Sequence, residues 1–574
     1  MAVTNLPTEA PGRGPGPARH RAGRVALGAV PIAVIAAASL PLLFLVLAAF
    51  STGVPGDADS EFTVAKVVEA YTDPALLAAL RNSLVLGLTV AVVTTVVTLP
   101  IAWVLIRTNA PGRRLLGRLM TFAFFLSPLL LAMAWAAIGA PRTGLLSQLY
   151  RTITGSDGGL GDVYSFAGIV FVSVLHFVPL SYLLISGALV SAAGAVDDAS
   201  QMSRANPWQT LRRVTVPLAM PTIVASFLQV AVFGAEEFAI PWFLGISDGY
   251  RTLPTQIYAD IALSSADYNR AAAAGTMLLW FTIAGVFLFR KYTKTGNRYA
   301  TLAGKHVRAR PVDLGRWRWA ASAMVAGYLF LSVGAPLLAL LWGSLNAFPS
   351  PTLTFDNVSL SNWEKVLGDP QTLHAMTNSL LVAVVGASVA VIACVVIGYV
   401  IVRTDTFGRV AADYATSLPL AVPAIVLGLG VLWLYIRLPL PLYGTLVGLG
   451  LAYSIRFLGY GVRAVNAGLL QIHTDLIEAA HTSRARPGRV IRTVVFPLLR
   501  PTVGSAWVVL FVRFVQELNM TVLLYTQAII TVPVLMFVKL SSSLQNAIYP
   551  LALLLMLVTF VCVQVIHSRE NVHG

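Results

Sequence analysis

Long apolar runs, separated by short polar stretches, are the feature that most restricts how this chain can fold. A helix needs roughly 20 apolar residues to cross the ~30 Å hydrocarbon core of a bilayer, and only helices or closed barrels satisfy their backbone hydrogen bonds there. Only 11% of the residues are charged, against about 25% in soluble domains. Because the runs are long and uninterrupted, we predict an all-α, polytopic membrane protein.

Twelve spanning segments are predicted, six in each half of the chain. Their approximate bounds are 27–50, 83–106, 116–140, 165–191, 217–245, 270–289, 319–345, 379–402, 411–435, 442–462, 498–525 and 549–566. The first segment, about 24 residues long, exceeds the roughly 7 to 15 residues of a secretory signal core. It is expected to remain as a membrane anchor.

Basic residues fall mainly on one side of these segments. With the amino terminus placed in the cytoplasm, 29 Lys and Arg lie in cytoplasmic tails and loops, nine lie on the outer side, and two lie inside segments. The positive-inside rule therefore places both termini in the cytoplasm. The net charge of +15 is explained by topology, and no nucleic-acid partner is predicted.

The chain contains an internal repeat. Residues 81–108 resemble residues 377–404 at an offset of 296. In both copies the second to fourth residues are Asn-Ser-Leu. Pro217 and Pro497 are instead 280 apart. The 16-residue difference is assigned to an insertion within the outer loop 141–164. Since six segments per half is an even number, the two halves form a parallel repeat.

The repeat divides the chain into five regions. They are a disordered basic cytoplasmic tail (1–26), a first transmembrane half (27–300, with a cytoplasmic loop at 193–216), a basic linker (301–318), a second transmembrane half (319–568, with a cytoplasmic loop at 471–497) and a short cytoplasmic tail (569–574). The composition of the first tail, rich in Pro, Gly and Arg, is typical of disorder.

The two cytoplasmic loops between the fourth and fifth segments repeat a polar sequence. Asn206–Pro207 and Arg486–Pro487 interrupt them, and a residue before proline is disfavoured in a helix. Each loop is therefore predicted to be a short helix, a bend and a second helix. A projecting helix suits docking into the groove of a partner.

These loops resemble the EAA motif of the membrane subunits of binding-protein-dependent ABC importers. The matching residues are Asp198, Ala199, Ser200, Arg204 and Pro217 in the first half, and Glu478, Ala479, Ala480, Arg484 and Pro497 in the second. The resemblance implies a coupling helix that docks on a separate ATPase, here two copies, and an extracytoplasmic binding protein that delivers the solute. Arg204 and Arg484 stand where the family usually has glycine, so the bend is expected to depend on the nearby prolines.

The fused arrangement looks most like ferric-iron importer permeases of the bacterial inner membrane. That resemblance implies ferric iron as the solute, with thiamine, polyamines and phosphonates as alternatives. An ion-coupled secondary transporter, which can also have twelve helices in two halves, is the competing class.

No ATPase motif is found in the chain. Gly304–Lys305 is followed by His306 and lacks the first glycine of a phosphate-binding loop. ATP is therefore expected to be used by the partner, and no cofactor or metal is expected to be bound by this chain. Cys394 and Cys562 lie in separate apolar runs and give no ligand spacing.

Glu237 and Glu517 are 280 residues apart, near the predicted outer end of the fifth helix of each half. Charged groups at membrane depth usually face a bundle interior or water, so both, together with Arg513, are candidate pathway residues. The alternative is a residue at the outer interface, or an i,i+4 pair of Glu517 with Arg513. His176 and Arg456 also occupy equivalent positions; the histidine is expected to be a packing residue, and the arginine to bind a carbonyl or line a cavity between the halves.

Overall fold

The computed structural model describes residues 17–53, 60–155, 162–191, 209, 211–262, 266–300, 311–346, 355, 357–472, 493, 496–541 and 548–570. Within these ranges every regular element is helical, apart from three isolated β-bridges. The all-α prediction is confirmed.

Eleven helices are described before the linker. They are α1 (Pro17–Ala49), α2 (Ala65–Thr72), α3 (Pro74–Arg107), α4 (Arg113–Ala123), α5 (Pro128–Gly139), α6 (Leu145–Thr154), α7 (Phe166–Ser191), α8 (Val216–Glu236), α9 (Ala239–Gly245), α10 (Leu253–Ala262) and α11 (Tyr268–Ala300).

Twelve more are described after it. They are α12 (Arg318–Leu329), α13 (Ala335–Leu345), α14 (Ser361–Gly368), α15 (Pro370–Leu381), α16 (Ala387–Arg403), α17 (Arg409–Ser417), α18 (Ala424–Arg437), α19 (Leu446–Gln471), α20 (Phe496–Gln516), α21 (Thr521–Leu524), α22 (Val532–Ser541) and α23 (Ile548–Glu570). Short π-helical turns join α12 to α13 and α15 to α16.

The helix boundaries reproduce the sequence repeat. The bounds of α3 shifted by 296 residues are those of α15 through α16, and the bounds of α7 and α8 shifted by 280 are those of α19 and α20. Helix α6 lies in the loop predicted to hold the insertion, whereas only residues 438–445 connect α18 to α19. The fold therefore consists of two copies of one unit, as the offsets predicted.

The described helices do not by themselves give the predicted twelve membrane crossings. Among the described residues, seven helices are long and apolar enough to cross a bilayer, and nine spans result if each of two bent pairs counts as one. Ile548–Cys562 is a shorter apolar helix. The count of twelve stays a prediction.

Two predicted spans are not continuous helices. The segment 116–140 is broken between α4 and α5 with a bend of 103°, and 411–435 is broken before α18 with a bend of 111°. A proline stands at the end of each break: Pro128 is the first residue of α5, and Pro423 directly precedes α18. The residue before each proline has extended backbone, with ψ of 137° at Ser127 and 131° at Val422. Proline disfavours helical geometry in the preceding residue, so the chain turns sharply at both points.

The amino-terminal tail is shorter than predicted. Helix α1 begins at Pro17, so residues 17–26 of the expected disordered tail are helical and that part of the prediction is wrong. Proline is well suited to the first turn of a helix, because its missing N–H would have no intrahelical partner there. Residues 1–16 lie outside the described ranges.

Each half packs its first helix against the other half. Helix α1 lies along α17 and α18, and the α12–α13 segment lies along α4 and α5. The approach is close: a Cβ added at Gly430 would be 2.2 Å from the Pro41 carbonyl oxygen, so only glycine fits there. On the opposite side Tyr328 Oη donates to the Leu175 carbonyl at 2.9 Å. The two halves are interlocked and not merely adjacent.

Candidate functional site

A glutamate, Glu237 or Glu517, directly follows the fifth long helix of each half. Helix α8 ends at Glu236, and Glu237 then adopts extended backbone with ψ of 128°. Glu237 Oε1 accepts a hydrogen bond from Ala239 N at 3.1 Å, and Glu517 Oε1 accepts one from Met520 N at 3.0 Å. Each carboxylate thereby binds an otherwise unpaired N–H at the start of the next short element. These contacts occupy one oxygen of each carboxylate.

Both helix ends lie deep in the molecule. Glu236 Oε1 accepts from Thr282 Oγ1 at 3.1 Å, and Thr282 lies 14 residues into α11, or about 21 Å along it. The equivalent Gln516 Nε2 donates to Thr559 Oγ1 at 3.1 Å, 11 residues into α23. Glu237 and Glu517 directly follow the fifth helices, near the helix ends where the sequence placed them, and the short elements after them re-enter the protein, so both helix ends are buried within the molecule. The depth of these residues in the bilayer stays a prediction.

The two helix ends border one cavity of about 150 Å³ between the halves. A cavity of that size holds several waters or a small ligand. First-half residues that line it are Phe124, Ser127, Pro128, Leu129, His176, Phe177, Leu180, Phe233, Glu236, Glu237 and Ala239. Second-half residues that line it are Leu420, Ala424, Arg456, Phe457, Tyr460, Arg513, Gln516, Glu517, Leu518 and Asn519.

The lining consists largely of equivalent positions. At the repeat offsets, nine pairs face the cavity: Phe124 and Leu420, Pro128 and Ala424, His176 and Arg456, Phe177 and Phe457, Leu180 and Tyr460, Phe233 and Arg513, Glu236 and Gln516, Glu237 and Glu517, and Ala239 and Asn519. The cavity therefore lies where the two copies of the unit face each other. We call it the central cavity.

Glu236 was missed by sequence reasoning although it is 8% exposed and lines the central cavity beside Glu237, which is 7% exposed. The available signal was the pair of adjacent glutamates in the sequence AEEF, residues 235–238. Its counterpart Gln516 carries no charge, and matched charge was the criterion that selected Glu237 and Glu517. A repeat-based search therefore overlooks a carboxylate that one half has lost.

Arg456 is fixed by backbone oxygens at the second bend. Its Nη1 donates to the Pro419 carbonyl at 2.6 Å and also to the Val422 carbonyl. Both alternatives expected for this arginine hold together, since it binds carbonyls and lines the central cavity. Its counterpart His176 differs: Nδ1 is buried and has no hydrogen-bond partner in the described part of the chain, so the expectation of a satisfied packing histidine is wrong.

Arg513 does not pair with Glu517. Its guanidinium carbon lies over the Phe124 ring at 4.9 Å and over the Tyr460 ring at 5.5 Å from the ring centroids. Among the described residues no carboxylate oxygen lies within 4.0 Å of its nitrogens. The alternative of an i,i+4 ion pair between Arg513 and Glu517 is therefore not seen, because the arginine side chain lies between aromatic rings of both halves.

The Asn-Ser-Leu repeat has a structural role that the sequence did not reveal. Ser83 Oγ accepts from Leu253 N at 2.8 Å, and Ser379 Oγ accepts from Val532 N at 2.7 Å. These N–H groups begin α10 and α22. The preceding asparagines donate to carbonyls of the same loops. The motif therefore holds the re-entrant elements against the second span of each half.

Most of the predicted coupling residues lie outside the described ranges: Asp198, Ala199, Ser200, Arg204, Glu478, Ala479, Ala480 and Arg484. Their roles stay predictions. The two motif prolines are described. Pro217 and Pro497 are exposed in the first turn of α8 and of α20, at the opposite end of each helix from the central cavity.

No resident metal centre is visible in the part of the chain that the structure describes, where no group of three or more His, Cys, Asp and Glu side chains could hold an ion.

Comparison with known proteins assigns this architecture. Residues 74–294 match the family described as "Binding-protein-dependent transport system inner membrane component". A putative ferric transport system permease protein, FbpB 1, of Haemophilus influenzae is 29% identical over 471 residues, covering 81% of this chain and 73% of that protein. The ferric transport system permease protein FbpB of Actinobacillus pleuropneumoniae is 29% identical over 469 residues, covering 81% and 67%.

A smaller relative matches only part of the chain. The molybdenum transport system permease protein ModB of Azotobacter vinelandii is 27% identical over 223 residues, covering 38% of this chain and 96% of that protein. One ModB chain thus matches a stretch about as long as one of the two halves. With its interlocked repeat and multiple apolar helices, the chain is similar to multi-pass ABC importer permeases of the binding-protein-dependent type, and among these it resembles the ferric transport permeases.

Proposed function

We propose that this permease moves ferric iron across the bacterial inner membrane, receiving it from an extracytoplasmic binding protein. The observation that supports this most directly is the meeting of Glu237 and Glu517 at one cavity between the halves. Carboxylate oxygens suit hard cations. The ferric transport names of the two relatives that cover 81% of this chain favour the same solute.

The force for transport comes from partners. ABC permeases of this family work with a separate ATPase and a binding protein. Here two ATPase copies dock on the loops 193–216 and 471–497, and ATP is hydrolysed by them and not by this chain, which binds no cofactor. Both termini lie in the cytoplasm, as the distribution of Lys and Arg indicates.

Helices α8 and α20 supply a direct route from these loops to the central cavity. Each begins beside the motif proline, Pro217 or Pro497, and ends where Glu237 or Glu517 borders the cavity. The 20 residues between proline and glutamate span about 30 Å of helix. A rigid helix that is displaced at its cytoplasmic end also displaces the carboxylate, so closure of the ATPase pair can open the cavity to the other side.

An ion-coupled secondary transporter remains the alternative class. A position of Glu237 and Glu517 near the membrane midplane would favour it, because coupled carriers place ionisable groups there. Against it stand two EAA-like loops at matched positions and the family match over residues 74–294. Thiamine, polyamine or phosphonate importers are the other candidates within the ABC class.

The direct test is iron uptake into vesicles containing the purified permease, the ATPase and the iron-loaded binding protein. ATP-dependent accumulation of ⁵⁵Fe is expected, with none when the ATPase is omitted. Uptake driven by an ion gradient without the ATPase would establish the secondary transporter, and uptake of a different solute by the cognate binding protein would refute iron.

The coupling loops are tested separately by capturing the ATPase on tagged permease. Replacing Asp198 and Glu478 together by Arg is expected to abolish capture, because charge reversal in both docking helices opposes the same groove. The matched control reverses Glu364, an exposed acidic residue of the outer helix α14, and should retain the ATPase. Unchanged capture by the Asp198 and Glu478 variant would place the docking surface elsewhere.

A further inference from the structure

The central cavity carries both signs of charge. Its lining includes three carboxylates, Glu236, Glu237 and Glu517, and two guanidiniums, Arg456 and Arg513. A bare trivalent cation in this space would be repelled by both arginines, and such repulsion is stronger in a low-dielectric interior than in water. The three carboxylates attract the cation, so the lining as a whole favours a metal cation that is accompanied by an anion over the bare ion.

Arg513 is the cation that the protein leaves available. Arg456 is anchored through Nη1 to the two carbonyl oxygens of the second bend, although its Nε has no partner among the described residues. Arg513 instead is held by rings, Phe124 of the first half and Tyr460 of the second, and none of its nitrogens donates a hydrogen bond to a described residue. Aromatic rings cover the faces of a guanidinium and leave its N–H edge free, which is the edge that binds oxyanions in a bidentate manner.

A second unpartnered group lies in the same lining. His176 Nδ1 is buried without a partner in the described residues, and an imidazole nitrogen can donate to an anionic oxygen. Glu237 and Glu517 add carboxylate oxygens to the same lining, where each carboxylate also caps the chain that follows it. Donors for an anion and acceptors for a cation thus face one space.

We propose that the central cavity takes a metal cation together with an oxyanion, the oxyanion binding the edge of Arg513 while the cation faces Glu237 and Glu517. The transported species is then an ion pair or anionic chelate of the metal and not the bare ion. This inference rests on the proposed function and specifies its substrate class. The oxyanion is defined by its chemistry, two or more oxygens on one centre, which phosphate, carbonate and carboxylate share.

The test uses the complete transporter in vesicles, with ⁵⁵Fe delivered in three parallel series containing labelled orthophosphate, citrate or bicarbonate. At least one anion is expected to accumulate with iron in a fixed ratio. Arg513→Gln should reduce uptake of iron and of that anion together by about tenfold or more, because the bidentate contact is lost. Arg513→Lys should fall between, since it keeps the charge without the planar edge.

Arg437→Gln is the matched control, because Arg437 also lies over an aromatic ring, that of Trp433 at 5.7 Å, but does not line the central cavity. It should behave as the unmodified protein does. Iron accumulation with none of the three anions, together with undiminished uptake by Arg513→Gln, would overturn the proposal while leaving ferric transport intact. Absence of ATP-dependent iron uptake by the unmodified protein would instead refute the proposed function.

A binding measurement covers the case in which Arg513→Gln does not fold. Purified unmodified permease in detergent should bind labelled orthophosphate, citrate or bicarbonate saturably, and Arg513→Lys should bind the same anion more weakly. If none of these anions binds to the permease, with or without ferric iron, the oxyanion site does not exist.

Discussion

The two halves share a frame but not a lining. The same helix bounds recur at fixed offsets, a glutamate directly follows the fifth helix of each half, and a serine at equivalent positions anchors the re-entrant element. Facing the central cavity, however, the first half has His176, Phe233 and Glu236 where the second has Arg456, Arg513 and Gln516. The first wall is more acidic and the second more basic.

This difference shows what fusion of the halves permits. In a symmetric homodimer every residue at the interface occurs twice, so any contact between two different residues is also made a second time with the subunits exchanged. In one chain each half can change alone. The frame that transmits movement can therefore stay symmetric while one wall of the cavity becomes more acidic and the other more basic. A cavity of this kind can orient a substrate that has distinct positive and negative parts.

The ends of the halves at which the second spans begin differ by a compensated exchange of charge. In the first half Arg270 bridges Asp73 and Asp260. In the second half Lys539, in α22 where the first half has Asp260 in α10, pairs directly with Asp369. Both arrangements tie the start of the second span to the re-entrant region, the first through three groups and the second through two.

The largest expected effect on transport comes from the acidic pair that the halves share at the central cavity. Replacing Glu237 and Glu517 together by Gln should lower iron uptake about 10- to 100-fold, since interactions with a charged group are worth about 1.5–3 kcal/mol. Glutamine keeps an amide oxygen that can accept the capping hydrogen bond, so abundance in the membrane should not change. Initial rates of ⁵⁵Fe uptake in vesicles measure the effect, with Glu364→Gln as the control; equal rates for both would remove these carboxylates from the pathway.

The sequence predicted the frame better than the lining, for a physical reason. Apolar runs and repeated offsets report burial and helix register. They were enough to predict that Glu237 and Glu517 are equivalent and that the insertion lies in the loop that contains α6. The breaks at Ser127–Pro128 and Val422–Pro423 were overlooked because a hydrophobicity pattern does not register a change of direction. Contacts between the interlocked halves, such as Arg513 with Phe124, depend on residues 389 positions apart. No local pattern encodes them.

The next effect is a difference in unfolding free energy between variants of Arg456 and of His176, which occupy equivalent positions in the two halves. Arg456→Met should destabilise the protein by about 3–6 kcal/mol, because two charge-assisted hydrogen bonds at about 1.5–3 kcal/mol each are lost. His176→Phe removes no hydrogen bond to a described residue and should cost less than about 1.5 kcal/mol, the usual limit for volume-conserving changes. Thermal unfolding of detergent-solubilised protein compares the two. A histidine variant as unstable as the arginine variant would show that the halves do not differ here.

A smaller effect is expected at the ion pairs of Arg270 in the first half and of Lys539 in the second. Arg270→Met leaves Asp73 and Asp260 without their shared partner and should cost about 3 kcal/mol, at the low end for broken buried pairs. Lys539→Met leaves only Asp369 and should cost about 1–2 kcal/mol. The same unfolding measurement ranks them, and adding Asp260→Asn to Arg270→Met should recover part of the loss. A greater loss at Lys539 would reverse the comparison.

The second-half pair also carries a pH dependence. The hydrogen bond from Lys539 lowers the pKa of the Asp369 carboxyl below its ordinary value. Its stabilising contribution is therefore fully present above the ordinary carboxyl pKa of about 4 and is lost as the pH falls through the lowered value. Lys539→Met should flatten the acid side of the unfolding profile. An unchanged profile would mean that the pair contributes little.

The smallest effect tests where the halves should agree. Ser83 and Ser379 are both buried, and each accepts from the first N–H of a re-entrant helix at nearly the same distance, 2.8 and 2.7 Å. Replacing either by Ala leaves that N–H without its acceptor and should cost about 1 kcal/mol. Because the surrounding frame is repeated, the two losses of unfolding free energy should be equal within about 0.5 kcal/mol, the usual error of additivity for separate sites. Unequal losses would show that the divergence of the cavity lining extends into the frame, and the two helices that transmit movement would then no longer be mechanically equivalent.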